Sequence, residues 1–250
     1  MDSESVRYEE ENWDRIFRSE LGRSSNRLFS SYWWENYYSE MRTYIEKEVT
    51  RLFGGHGSIL EIWSWSWKAS ILLWDKVGHI TLLDISKNAL KYARYLSEKF
   101  RIKNVAFVNA NMFDIPFSHE TFDLTWNIWT LEHYGTDDIK SILWEMIRVT
   151  KKSGYIAFWI PNKCSWPILK ASLLAKPYLR WLSGYRLDTE NFYDKNTIFG
   201  ILWDIGIPKS NIKMTRFWSF LPMESPKWLI KATSHLGFKY KFLNFYLIKL

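Results

Sequence analysis

Short apolar runs alternating with segments of helical spacing constrain this chain more than any other feature. The runs are Ser58–Ile62, Ile80–Leu83, Val105–Val108, Phe122–Trp126 and Tyr155–Phe158. Each has the length and residue type of a buried strand and is too short for a helix. Between them lie amphipathic stretches. Residues 35–53 place Tyr37, Tyr38, Met41, Tyr44, Ile45, Val49 and Leu52 at intervals of three and four, and Gly54, Gly55 and Gly57 end that helix. Ser86 is suited to cap a helix running to about Phe100, with Ala89, Leu90, Ala93 and Leu96 on one face. Asp137 to Val149 turns Ile139, Ile142, Leu143, Met146 and Ile147 inward. Strands and helices in this order predict an α/β fold, a doubly wound parallel sheet covered on both faces.

After Asn162 the pattern loosens. A helix near 195–205, a strand near 211–217 and a last strand near 245–250 would bring the sheet to seven strands. The expected layout is an N-terminal helical cap (1–54), a core (55–162), and a lid with C-terminal strands completing the same sheet (163–250).

Charge separates these regions. Residues 1–162 hold 20 Lys and Arg against 22 Asp and Glu, whereas 163–250 hold 14 against 5. The stretch 163–186 has five basic residues, no acid, and Leu, Ile and Trp between them. It reads as a basic amphipathic lid or as a surface for peripheral membrane contact. The lone Cys164 gives no internal disulfide or metal cluster and suits a reducing, cytoplasmic setting. The polar, acidic N-terminus is unlike a signal peptide, and no apolar run approaches the roughly 20 residues that span a bilayer.

The residues at the ends of the runs carry the chemistry. The stretches ILEIWSWSWKASILL, LLDIS and NANMFDIPFSHETFDLTWNIWTLEHYG, covering about residues 55–162, resemble the class I S-adenosylmethionine-dependent methyltransferases, especially the small-molecule type 11 group. The resemblance implies a Rossmann-like sheet, mostly parallel with an antiparallel last strand, and S-adenosylmethionine as cofactor. In that family a glycine-rich turn, E-x-G-x-G-x-G, follows the first strand and lets the cofactor pass close to bare backbone. The matching positions here are Glu61, Trp63, Trp65 and Trp67.

The resemblance assigns Asp84, followed by Ile85, to the ribose hydroxyls. Asn111 stands where the family usually has an Asp accepting from the adenine amino group, and Met112 would pack on the ring. Asn127 and Trp129 follow the fourth strand beside the methyl donor, and His133 is the candidate general base. The acceptor implied is a small or lipid-like molecule. RNA is an alternative raised by the basic C-terminal third and disfavoured by Asn127-Ile-Trp-Thr standing where N-P-P-Y would be expected. A catalytically silent binding domain is the other alternative.

Composition enters at the turn. The chain has 16 Trp and only 11 Gly, and 11 in 250 is below the roughly 7% that is usual. Trp63, Trp65, Trp67, Trp129, Trp159 and Trp203 stand at glycine-like positions, while Trp13 and Trp181 read as ordinary tryptophans. Read literally, WSWSW is an extended strand with one indole face. The alternative is that these residues are glycines encoded by UGA, which some bacterial lineages read as Gly and a common translation table reads as Trp. Engineering to block the site and a natural pseudoenzyme are the remaining explanations.

Overall fold

The computed structural model describes residues 39–63, 67–71, 73–128, 130–173, 191–217, 228–229, 232 and 241–250. Helix α1 (Ser39–Phe53) leads into β1 (Ser58–Ile62), and a single helical turn, α2 (Lys68–Ile71), precedes β2 (His79–Asp84). Then come α3 (Lys87–Lys99), β3 (Val105–Asn109), β4 (Phe122–Asn127), a 3-10 turn at Leu131–His133, α4 (Thr136–Val149) and β5 (Thr150–Pro161). The chain closes with α5 (Trp166–Leu173), α6 (Lys195–Asp204), β6 (Ile212–Phe217) and β7 (Leu243–Lys249).

All seven strands share one sheet in the order β3-β2-β1-β4-β5-β7-β6. Strands β1 to β5 pair in parallel, and β7 runs antiparallel to both β5 and β6. The strand order reverses between β1 and β4. In open α/β sheets that switch point, at the C-terminal strand ends, is where ligands bind.

The pleat divides the core in two. Ile59, Ile80, Leu82, Trp126 and Trp159 face one side with Ile45 and Val49 of α1 and Ala89, Ala93 and Leu96 of α3. Leu60, Ile62, Leu83 and Phe158 face the other with Ile139, Ile142 and Leu143 of α4 and Ile198 of α6. Neighbours such as Ile59 and Leu60 therefore bury into opposite layers, as alternation along a strand requires. The predicted Ser86 cap forms, its side chain accepting from Ala89 N at 3.0 Å.

Some boundaries differ from expectation. Strand β5 starts at Thr150, five residues before Tyr155, and the β4–β5 register shifts between Phe122 and Leu124. Gly154 permits this, because a Cβ there would lie 2.8 Å from Asp123 O and 2.9 Å from Lys151 O. The segment after the β1 turn forms one helical turn only. Strand β7 begins at Leu243, two residues before Phe245. In α4, Ile147 is only partly buried and Val149 takes the inward place. The start of the first helix before Ser39 and most of 163–186 lie outside the described residues; α5 covers part of that stretch. No described helix is long and apolar enough to cross a membrane.

Candidate cofactor site at the switch point

Strand β1 stops at Ile62 rather than running on as an extended strand through WSWSW. Trp63 bends with φ 45°, and Trp67 has φ 50°. Both values lie in the left-handed region, which costs a bulky side chain roughly 1–3 kcal/mol. Among the described residues, two other non-glycines share it, Arg101 and Glu120. Those are exposed polar residues at turns, whereas the Trp63 and Trp67 side chains are 5% and 0% exposed.

The path of this turn is set by its neighbours. Trp63 N donates to Leu83 O of β2 at 2.8 Å. From β4, Asn127 Nδ2 donates to Ile62 O at 2.8 Å and to Trp63 O at 3.4 Å. Thr130 Oγ1 also donates to Trp63 O. The Trp67 carbonyl accepts from Ile71 N at 2.9 Å and starts the helical turn. The turn's backbone is thus held on both sides while its side chains are in conflict with it. Trp67 Nε1 is buried with no hydrogen-bond partner among the described residues, an arrangement that costs about 1–3 kcal/mol.

Asp84 ends β2 at the same edge, 2% exposed, with Oδ1 accepting from Ser86 N at 2.8 Å. Ile85 follows it, buried in the α4-side layer. Asn109 Nδ2 donates to Asp84 O at 3.0 Å and to Ile85 O at 2.7 Å, tying the ends of β2 and β3 together. Asn111 Oδ1 accepts from Phe113 N at 3.0 Å, closing a local turn, and Met112 is fully buried below it. Glu61 is fully buried in β1. Asn127 Oδ1 is buried at the tip of β4 with no partner among the described residues. His133 sits half-buried in the 3-10 turn, its backbone N donating to Thr130 O at 3.0 Å. Trp65 and Trp129 lie outside the described residues.

Several residues at this edge were not singled out from the sequence. Thr130 is one. Another group is Asn191–Tyr193, which returns over the 3-10 turn: Asn191 N donates to Glu132 O at 2.6 Å and Tyr193 Oη to Tyr134 O at 2.6 Å. Tyr134 in turn meets the Trp63 ring edge-on at 6.4 Å and Phe113 at 5.6 Å. Burial pushes the Tyr193 phenol upward.

The Ile115–Phe117 segment hangs on α4. Arg148 donates to Ile115 O and Phe117 O at 2.7 Å each, and Ile115 N donates to Glu145 Oε2 at 2.8 Å. The Arg148 guanidinium holds the Glu145 carboxyl below its ordinary range, outweighing the effect of burial. Asp123, the acid of FDL, is remote from this edge. It pins the start of β1, accepting from Ser58 N and Oγ at 2.8 Å each and from Lys151 Nζ at 2.8 Å. A polar or charged residue in a short motif was the only available signal for these, and it did not distinguish structural pins from site residues.

The indoles at 63 and 67 pack into opposite layers of the core, Trp63 on the α4 side and Trp67 on the α1 and α3 side. The Asp84 edge suits a ribose, whereas the left-handed backbone at 63 and 67 suits glycine rather than tryptophan. No group of three or more potential metal ligands occurs among the described residues.

A family profile described as a methyltransferase domain matches residues 67–158. Demethylmenaquinone methyltransferase of Listeria welshimeri is 32% identical over 91 residues, which cover 35% of this chain and 38% of that protein. The chain therefore matches well under half the length of this curated relative. Among solved structures, an S-adenosylmethionine-dependent methyltransferase from Aquifex aeolicus superposes with a TM-score of 0.55 at 16% identity, covering 89% of this chain and 96% of that one. Geranyl diphosphate C-methyltransferase from Streptomyces coelicolor, solved with S-adenosylhomocysteine, gives 0.56 at 14% identity, with coverage of 84% and 80%. Residues 67–158 thus match a methyltransferase-domain profile, and the chain carries the fold seen in solved S-adenosylmethionine-dependent methyltransferases.

Proposed function

We propose that this chain is built to bind S-adenosylmethionine at the β1–β2–β4 edge and to pass its methyl group to a small or lipid-like acceptor. The observation that carries the reading is the buried carboxylate of Asp84 at the end of β2, one residue beyond the Leu83 carbonyl that holds the left-handed turn at Trp63. A carboxylate there can accept from two ribose hydroxyls at once. The Asn127 Oδ1 atom, buried and without a partner among the described residues, would supply a further acceptor for a ligand donor. His133, Asn111 and Met112 keep the roles the resemblance implies as part of this proposal.

The acceptor class is drawn from relatives and from charge. The named relatives act on a demethylmenaquinone and on geranyl diphosphate, and both names denote apolar molecules with polar or anionic ends. The excess of basic residues in 163–250 suits an anionic group on the acceptor. The aromatic group of Tyr134 and Phe113, steadied by Asn191 and Tyr193, lies beside the turn and suits an apolar acceptor. A silent fold is the second reading, favoured for the chain as written by tryptophan standing at two turn positions with left-handed backbone.

Calorimetric titration with S-adenosylhomocysteine separates the two readings. The chain as written should give no heat, and the fourfold variant Trp63→Gly, Trp65→Gly, Trp67→Gly, Trp129→Gly should bind. Adding Asp84→Ala to that variant should weaken binding at least tenfold. Absence of heat from the folded fourfold variant removes the enzyme reading.

A further inference from the structure

We infer that positions 63 and 67 are glycine positions in the working protein, and that the tryptophans written there come from codons read with the wrong table. The inference deepens the cofactor-turn reading above, but its evidence lies in the backbone. Three observations converge on these two positions. The backbone is left-handed at both, with φ 45° and 50°. Both side chains are nonetheless packed away from solvent, unlike the exposed Arg101 and Glu120 that share the conformation. The turn is held in its path by Leu83 O, Asn127 and Thr130, none of which depends on the side chain at 63 or 67.

The other described tryptophans of the core do not carry these marks together. Trp126 lies in strand backbone, fully packed, and its Nε1 donates to Ser70 Oγ at 2.8 Å. Trp159 also lies in strand backbone; its N–H has no partner among the described residues, but its ring packs on Phe245 at 4.5 Å and Trp126 at 5.6 Å. The chain's own glycines at 54, 55 and 206 occupy the left-handed region at φ 56°, 88° and 85°. Positions 63 and 67 behave as those glycines do, in a place where a Cβ is costly. A drift of unrelated substitutions has no reason to select them.

Two measurements test this. In the coding DNA, TGA at 63 and 67 is expected, and TGG at either position overturns the inference. In thermal unfolding of the full chain, the double variant Trp63→Gly/Trp67→Gly should melt no lower than the chain as written, while Trp126→Gly melts well below both. A double variant that loses as much as Trp126→Gly overturns the inference equally. The cofactor reading fails separately: if the double variant keeps its melting temperature and the fourfold variant still gives no heat with S-adenosylhomocysteine, the glycine assignment stands and the cofactor assignment falls.

Discussion

The turn after β1 and the interior of the sheet both bury tryptophan, and they bury it in opposite ways. In the sheet, Trp126 has extended backbone, dense neighbours and a partner for its N–H. In the turn, Trp67 has equal burial, a left-handed backbone and no partner for its N–H among the described residues. Burial alone therefore says little about whether a residue belongs where it is. Fit is decided by whether the backbone conformation and the polar atoms are satisfied together.

The sharpest test of this contrast is Trp126→Ala. It should cost about 3–5 kcal/mol as a large-to-small change in a packed core, with Ser70 Oγ left without its donor. The fall in denaturation midpoint would be measured against Trp67→Gly, for which relief of roughly 1–3 kcal/mol of backbone strain offsets lost burial. Equal losses in the two variants would break the comparison.

Trp159→Gly sharpens it further. With its ring packed at a tilt against Phe245 and Trp126, this change should cost about 3 kcal/mol in urea unfolding, even though its N–H, like that of Trp67, has no partner among the described residues. A gain in stability would move position 159 into the class of the turn.

A smaller effect is expected at the Ile115–Phe117 segment, where side chains and backbone agree. Glu145 has its pKa lowered by the hydrogen bonds from Arg148, with burial opposing. A carboxylate depressed in the folded state contributes stability that is present above its unfolded pKa and lost as the pH falls through the folded value. Glu145→Gln should therefore lower stability by about 1–2 kcal/mol near neutrality. The difference from the parent should shrink as the pH drops below about 4, which urea midpoints across that range would follow. The smallest effect belongs to Thr130→Val. It removes one hydrogen bond to Trp63 O, for about 1 kcal/mol, and should speed amide exchange in the turn without altering the sheet.

Much of the frame was legible in the residues. The runs at 58–62, 80–83, 105–108 and 122–126 become strands because their apolar side chains alternate between two buried layers. Ser86 caps α3 because a hydroxyl at that place satisfies a free N–H of the first turn. The demand for glycine after β1 was legible only through the resemblance to a family whose turn there is glycine-rich, and the left-handed backbone at 63 and 67 agrees with it. Less legible were the roles of individual polar residues. Asp123 sits within the motif series yet works at the far end of the strands, while Thr130 and Tyr193 drew no notice and brace the site edge.

By itself, then, the sequence determined the strands and the helices, since those follow from periodicity and capping over a few neighbouring residues, while the proposed cofactor turn rested on the resemblance. Only the tertiary structure decided that Asn127 and Thr130 hold the turn by its carbonyls from 65 and 67 residues away, and that Asn191 steadies Tyr134 from 57. It also decided that β7 enters between β5 and β6, in the antiparallel sense that the resemblance implied. The reason is that such contacts depend on strand order, and strand order is a property of the whole sheet that no local pattern of side chains encodes.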